Sequence, residues 1–289
     1  MPDFQERRWT SRDGLTLFAR DYPAASEGDR LPVICLHGLT RNSKDFEEIA
    51  PIIAGWGRRV LVPDVRGRGQ SGCDPNPKHY KPSVYARDVV EMMAAMNIGQ
   101  AIFLGTSMGG LITMALAARR LKSIAAAILN EAGPEIDPAG IARILSYAGS
   151  GGPFATWEEA AEFVRSTNDV AFPNRDDAEW MATASRIFRE DGGMIVADCD
   201  PAISTVLSKP PPRLAGPLAS WLFRRLARRR PTLLIRGELS DVITAPIATR
   251  MKKAAPRLEE AVVPGVGHAP TLAEPEALDA IRAFLARQH

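Results

Sequence analysis

Several things are scarce in this chain, and each scarcity narrows what it can be. No apolar run is long enough to span a bilayer, so no membrane partner is expected. Cysteine is rare. Cys35, Cys73 and Cys199 are odd in number and far apart, which excludes a disulfide framework and a thiolate metal motif and leaves buried thiols as the expectation. Only four histidines occur, His37, His79, His268 and His289, and no two of them have metal-ligand spacing. An excess of one charge is missing too. Thirty-six Lys and Arg against 34 Asp and Glu give a net charge of +2, which provides no general attraction for nucleic acid. The first residues, "MPDFQERRW", are charged and lack an apolar signal region, so a cytoplasmic location is expected.

What is present is an alternation. Asp13-Gly14 signals a hairpin between "RRWTS" and "LTLFARDY". Buried-strand patterns then recur at "LPVICLHG", "RRVLVPD", "AIFLG" and "IAAAILNE", separated by helical patterns such as "YARDVVEMMAAMN" and "LITMALAARR". Such alternation predicts an α/β fold with a mostly parallel central sheet and helices on both faces. The rhythm stops after Gly133-Pro134. Residues 134–230 hold no convincing buried strand. They do hold helix starts, a T-x-x-E capping box at Thr156–Glu159 and a cap at Asn174, and then the breaker "KPPPRLAGP". After Pro231 strands and helices resume. The expected layout is a core over 1–133 and 231–289 interrupted by a mostly helical insertion over 134–230.

The stretch "AIFLGTSMGGL", residues 101–111, carries the chemistry. A glycine turn between strand and helix either cradles phosphate or presents a nucleophile. A Walker loop needs Lys-Ser/Thr after its last glycine, and Leu111-Ile112 stands there instead. The dinucleotide fingerprint has other spacings and lies earlier in its domain. Gly105 to Gly109 instead reads G-x-S-x-G, a strained elbow that exposes the Ser107 hydroxyl and directs the Met108 amide at the reacting centre. Serine needs a base. His268, in the glycine-rich loop "VPGVGHAP" after the last strand, is placed to be one. The imidazole needs a carboxylate. Asp241, directly after "TLLIRGELS", is the first choice and Glu131, after "IAAAILN", the second. Asp198 and Asp200 in the insertion rank lower. The Leu39 amide, after the strand that ends in His37-Gly38, is the candidate second oxyanion donor, with His37 shaping that loop.

Five segments together resemble the α/β-hydrolase superfamily: "LHGLTRNSKDF", "PDVRGRGQSG", "GTSMGG", "RGELSDVIT" and "GVGHAP", in that order. The resemblance implies the α/β-hydrolase fold, with a helical cap inserted after the sixth strand, and a Ser107–Asp241–His268 triad. It implies no metal and no cofactor. Asp64, Arg66, Gly67, Gly69 and Ser71 read as scaffolding beneath the site. A small to medium, partly apolar substrate is expected under the cap, with Arg41, Trp157 and Trp180 as candidate substrate-binding residues. The run Arg224–Arg230 reads as a solvated helix face before it reads as an anion site. The expected activity is hydrolysis of a carboxylic ester or lactone. Rivals are a C–C or amide hydrolase acting on a carboxylated substrate, a perhydrolase or haloperoxidase-like activity, and a non-catalytic receptor that holds a small ligand. The residues leave the acyl group and the oligomeric state open.

Overall fold

Strand residues here are apolar on both faces, because helices cover both sides of the sheet. In β5 (Ala101–Thr106), Ala101 and Phe103 enter one apolar cluster while Ile102 and Leu104 enter the other. In β3 (Val33–Leu36), Ile34 and Leu36 go one way and Val33 and Cys35 the opposite way. Side chains alternate across a strand, so a continuous apolar run fills two cores at once. The computed structural model describes residues 4–26, 28–148, 151–207 and 215–288. Much of the breaker "KPPPRLAGP", and His289, lie outside them.

The remaining core strands are β1 (Gln5–Thr10), β2 (Thr16–Tyr22), β4 (Val60–Asp64), β6 (Ile124–Asn130), β9 (Thr232–Gly237) and β10 (Glu259–Val263). They form one eight-stranded sheet in the order β1-β2-β4-β3-β5-β6-β9-β10. β1–β2 and β2–β4 are antiparallel and every other pair is parallel. One face is covered by α2 (Pro82–Ala95), α3 (Met108–Arg120), α8 (Ala215–Ala227) and α9 (Ala245–Ala254), and the other by α1 (Ile49–Gly55) and α10 (Pro275–Ala286). From β3 the chain steps outward to β4, then crosses back to β5 on the other side. That reversal opens a crevice at the carboxyl ends of β3 and β5, where ligands bind in open α/β sheets.

Between β6 and β9 the chain makes α4 (Pro138–Tyr147), α5 (Trp157–Asn168), α6 (Asp177–Ile187), the strand pair β7 (Phe188–Asp191) and β8 (Met194–Ala197), α7 (Ala202–Leu207) and α8. Thr156 caps α5 through the Glu159 amide, as its spacing implies. α6 is capped by Asp176 rather than Asn174, with a reciprocal capping box to Glu179. The β7–β8 hairpin was not expected from sequence. Its strands have four residues each with one buried side chain apiece, so only Asp191-Gly192-Gly193 hints at it. The expected insertion 134–230 therefore covers elements of two kinds. α5, α6 and the hairpin bury Val164, Phe172, Trp180 and Phe188 in a cluster of their own. α8 instead packs on α3 and places Phe223, Leu226 and Ala227 in the main core.

The start of α3 crosses the ends of β3 and β5 with no room for side chains. A Cβ on Gly109 would lie 2.0 Å from the Leu36 carbonyl oxygen, and one on Gly105 would lie 2.4 Å from the Gly109 backbone. Those neighbours are backbone and cannot swing aside. Gly109→Ala is expected to cost about 3 kcal/mol or more, while Gly99→Ala, whose Cβ meets nothing within 4 Å, stays within ~1 kcal/mol of wild type. Urea unfolding of the two variants checks the contrast.

Candidate active site

Ser107 occupies the turn between β5 and α3 at φ +51°, ψ −110°. Positive φ is uncommon for a residue with a side chain and marks stored strain. Three hydrogen bonds hold it there: its N–H donates to the Asn130 carbonyl at 2.9 Å, and its carbonyl accepts from the Gly110 amide at 2.9 Å and the Leu111 amide at 3.3 Å. Met108 follows as the first residue of α3, so its N–H has no acceptor within the helix.

The loop after β3 is set by His37, which is fully buried. Its Nε2 accepts from the Val65 amide at 3.0 Å, which leaves the proton on Nδ1 to be donated to the Gly38 carbonyl at 2.7 Å. That carbonyl shares a peptide plane with the Leu39 N–H and points the opposite way. Fixing one fixes the other, and the Leu39 amide is turned away from His37. Burial pushes the His37 pKa down to about 4, which keeps the ring neutral. Arg68, also fully buried, donates from Nε to the Leu39 carbonyl at 2.9 Å and lies 3.7 Å from the Met108 sulfur. Beneath the loop, the Asp64 carboxylate accepts from the Ser43 amide at 2.6 Å and the Gln70 amide at 2.8 Å. Ser71 ties Asp64 to β2 through its hydroxyl.

His268 stands on the loop after β10. Gly237 lets that loop close over the end of β9, since a Cβ there would meet the Val266 carbonyl oxygen at 2.4 Å. The Gly267 amide donates to the Ala171 carbonyl at 2.6 Å, so the excursion helps to hold the loop. His268 and Ser107 line the same cavity.

The carboxylate facing His268 is Glu131. Its Oε2 lies 3.4 Å from His268 Nδ1, a long contact, and its side chain is 0% exposed. Oε1 accepts from the Gly237 amide at 2.7 Å and Oε2 from the Ser240 hydroxyl at 2.5 Å. Glu131 itself sits at φ +52°. Asp241, the carboxylate expected here, is occupied elsewhere. Arg143 of α4 donates to it twice, at 2.5 and 2.7 Å, and its side chain is 33% exposed. The Arg143 guanidinium holds the Asp241 carboxyl below the usual carboxylate range, and His268 contributes a lesser pull. The expected acid thus lies near the histidine but aims its oxygens at an arginine that no local sequence signal connects to it.

The cavity measures about 200 Å³. Core residues Leu39, Ser107 and His268 meet aromatic residues of the excursion, Tyr147, Phe163, Phe172 and Phe188. Arg41 lines it as expected, but its guanidinium is bound to Asp45 at 2.9 Å to both oxygens. Trp157 and Trp180 do not line it, which corrects that expectation. Trp180 is buried edge-on against Phe172, with ring centroids 6.4 Å apart, and Trp157 packs on the same cluster. Large aromatic residues at helical spacing served the excursion's own core. Arg175, which sequence reasoning did not single out, does line the cavity. The run Arg224–Arg230 lies away from it. Arg225, Arg228 and Arg230 donate to the carbonyls of Ala117, Ala254 and Leu121.

Among the described residues, one group has metal-ligand proximity: Asp13, Asp74 and His79, with atoms within 4.8 Å. The Arg66 guanidinium already sits between Asp13, Asp74 and Asp88 and supplies the positive charge, so the donor set suits an arginine rather than a metal ion. No helix among the described residues is long and apolar enough to cross a membrane.

The chain belongs to the alpha/beta hydrolase fold family, which it matches over residues 32–275. It is 32% identical to the 3-hydroxybutyrate-oligomer hydrolase of Cupriavidus necator over 249 residues, 84% of each chain. It is 25% identical to the 2-(acetamidomethylene)succinate hydrolase of Mesorhizobium japonicum, covering 88% of this chain and 87% of that one. Among solved structures, an alpha/beta hydrolase from Novosphingobium aromaticivorans superposes with a TM-score of 0.90 at 41% identity, over 99% of both chains.

The depressed His37 pKa has a measurable consequence. A ring with a folded pKa near 4 and an unfolded pKa of about 6.5 binds a proton more readily when unfolded. Its contribution, about 3 kcal/mol, is complete above the unfolded pKa and is lost as pH falls from 6.5 through 4. Urea midpoints measured from pH 7 to pH 4 should fall less steeply in His37→Gln than in wild type. An identical slope would contradict the buried neutral ring.

Proposed function

We propose that this chain is a serine hydrolase of carboxylic esters, working through an acyl-enzyme on Ser107. The observation that carries the reading is the meeting of the strained Ser107 elbow with His268 in one cavity, backed by the buried carboxylate of Glu131. Ser107 Oγ attacks the ester carbonyl and His268 Nε2 takes its proton. Glu131 receives the Nδ1–H, holds the tautomer and stabilises the imidazolium. The amides of Leu39 and Met108 stabilise the oxyanion. Each such donor contributes about 2.7–4 kcal/mol in comparable sites. His268 then returns the proton to the departing alcohol, draws one from the water that attacks the acyl-enzyme, and passes it to Ser107 Oγ as the acid leaves. No step calls for a metal or cofactor.

The part of the excursion from α4 to β8 serves as the cap of this site, and its aromatic side chains select a small or medium, partly apolar substrate. The likeness to a 3-hydroxybutyrate-oligomer hydrolase supports an ester of a short hydroxy acid. The likeness to a 2-(acetamidomethylene)succinate hydrolase supports a second reading, amide hydrolysis of an acidic substrate by the same nucleophile.

Two experiments test the assignment. On p-nitrophenyl acetate and butyrate, Ser107→Ala should lose at least ~10³-fold in kcat, and wild type no faster than the variant would remove esterase activity and leave amide hydrolysis or ligand binding without turnover. Glu131→Gln keeps the shape but not the charge, and should lower kcat by ~10²–10⁴. Asp241→Asn removes the charge from a part-buried pair with Arg143 and should change kcat less than about threefold, at a stability cost of about 1–3 kcal/mol. The reverse ranking would return the acid role to Asp241.

A further inference from the structure

Among the described residues, two kinds of charged side chain line the cavity wall, the arginines Arg41, Arg175 and Arg186 and the single aspartate Asp45. Two of the three arginines are neutralised by the protein. Arg41 is bound to Asp45, and Arg186 reaches Glu47 at 3.0 Å and also Glu48. Arg175 differs. No carboxylate of the described residues lies within the 4.0 Å of an ion pair with it. Its guanidinium is stacked on the Phe172 ring, 3.7 Å from the centroid, with Trp180 at 5.3 Å, and its one side-chain hydrogen bond is a long 3.4 Å donation to the Thr183 hydroxyl.

An unpaired guanidinium that is withdrawn from water is costly. Burial pushes the Arg175 pKa down to about 10, with Arg41 and Arg186 adding repulsion while Glu179 and Glu274 act from a distance in the other direction. The group stays charged at neutral pH. Stacking occupies its faces and leaves its edge N–H donors available, the geometry in which arginine takes a carboxylate. The position is held from both sides. The Arg175 amide donates to the Phe172 carbonyl at 3.3 Å, and the Asp176 capping box of α6 begins at the next residue.

We propose that Arg175 is a substrate-binding residue that anchors a free carboxylate, so that the preferred substrate is a monoanionic ester, one whose acyl or alcohol part carries an acid group. This rests on the ester-hydrolase reading above. The anchor supplies the missing counter-charge, and it orients the scissile carbonyl from the cap side while Ser107 and His268 act from the core side. A neutral ester of the same length fills the cavity but leaves Arg175 unpaired.

The test compares charged and neutral esters of matched shape: mono-p-nitrophenyl glutarate against its methyl ester, with acid on the acyl side, and 3-acetoxybutyrate against its methyl ester, with acid on the alcohol side. Wild type should favour the acid of at least one pair. Arg175→Gln should lower kcat/KM for that acid ~10–100-fold, mostly through KM, and change its neutral partner less than about threefold. Arg175→Lys should recover part of the loss. An acid-to-neutral ratio that Arg175→Gln leaves unchanged in both pairs overturns the proposal. If wild type hydrolyses none of the four, the esterase reading fails by itself, and calorimetric binding of glutarate decides the anchor. Binding that Arg175→Gln abolishes supports it, and no binding to wild type overturns it.

Discussion

The close passage of α3 over the ends of β3 and β5 is the constraint on which the site depends. With Gly109 touching the Leu36 carbonyl and Gly105 touching Gly109, the turn between strand and helix has to be very tight. Only one residue is left to make it, and Ser107 makes it at positive φ. The strain is small beside the burial energy of two apolar clusters, each fed by alternate residues of the same strands. The same close passage brings the first amide of α3 beside the loop that follows β3. Thus the proposed nucleophile and both proposed oxyanion donors come from one packing contact rather than from three independent arrangements.

Around that contact the protein uses buried polar groups to fix peptides rather than to react. His37 is neutral, donates to one carbonyl and accepts from one amide. Arg68 is charged and donates to the Leu39 and Arg66 carbonyls and to the Tyr85 hydroxyl, with its guanidinium over the Tyr80 and Tyr85 rings. Arg66 is surrounded by three aspartates. Each of these groups would be expensive if unsatisfied. Together they make the loops after β3 and β4 stiff, which suits a site whose donors must be aimed before the substrate arrives.

The parts of this architecture legible in sequence were those carried by local pattern. The β-α alternation, the glycine elbow and the histidine after β10 depend on residues adjacent in the chain, and reading them in order was enough to place Ser107, His268, Leu39 and Arg41 on one cavity. Trp157 and Trp180 were harder, because an aromatic residue in a helix of the excursion serves either the excursion's own core or the cavity, and helical spacing does not say which face turns inward. The β7–β8 hairpin was too short and too exposed to show a period-two signal.

The choice between Asp241 and Glu131 was illegible for a different reason. Both follow a strand at the carboxyl edge of the sheet, and the two strands are neighbours, so topology alone ranks them equally. What separates them is the company each keeps. Arg143, nearly a hundred residues away in sequence, claims Asp241 from the excursion. Ser240, immediately before Asp241, turns back to donate to Glu131. The segment expected to supply the acid therefore supplies a hydrogen bond to the proposed one. The fully buried Glu131 carboxylate accepts from Gly237 and Ser240 and keeps Oε2 toward His268, while the part-buried Asp241 carboxylate is held by Arg143 through both oxygens. Orientation of an imidazole demands the first arrangement, and that physical difference favours Glu131 where chain position could not.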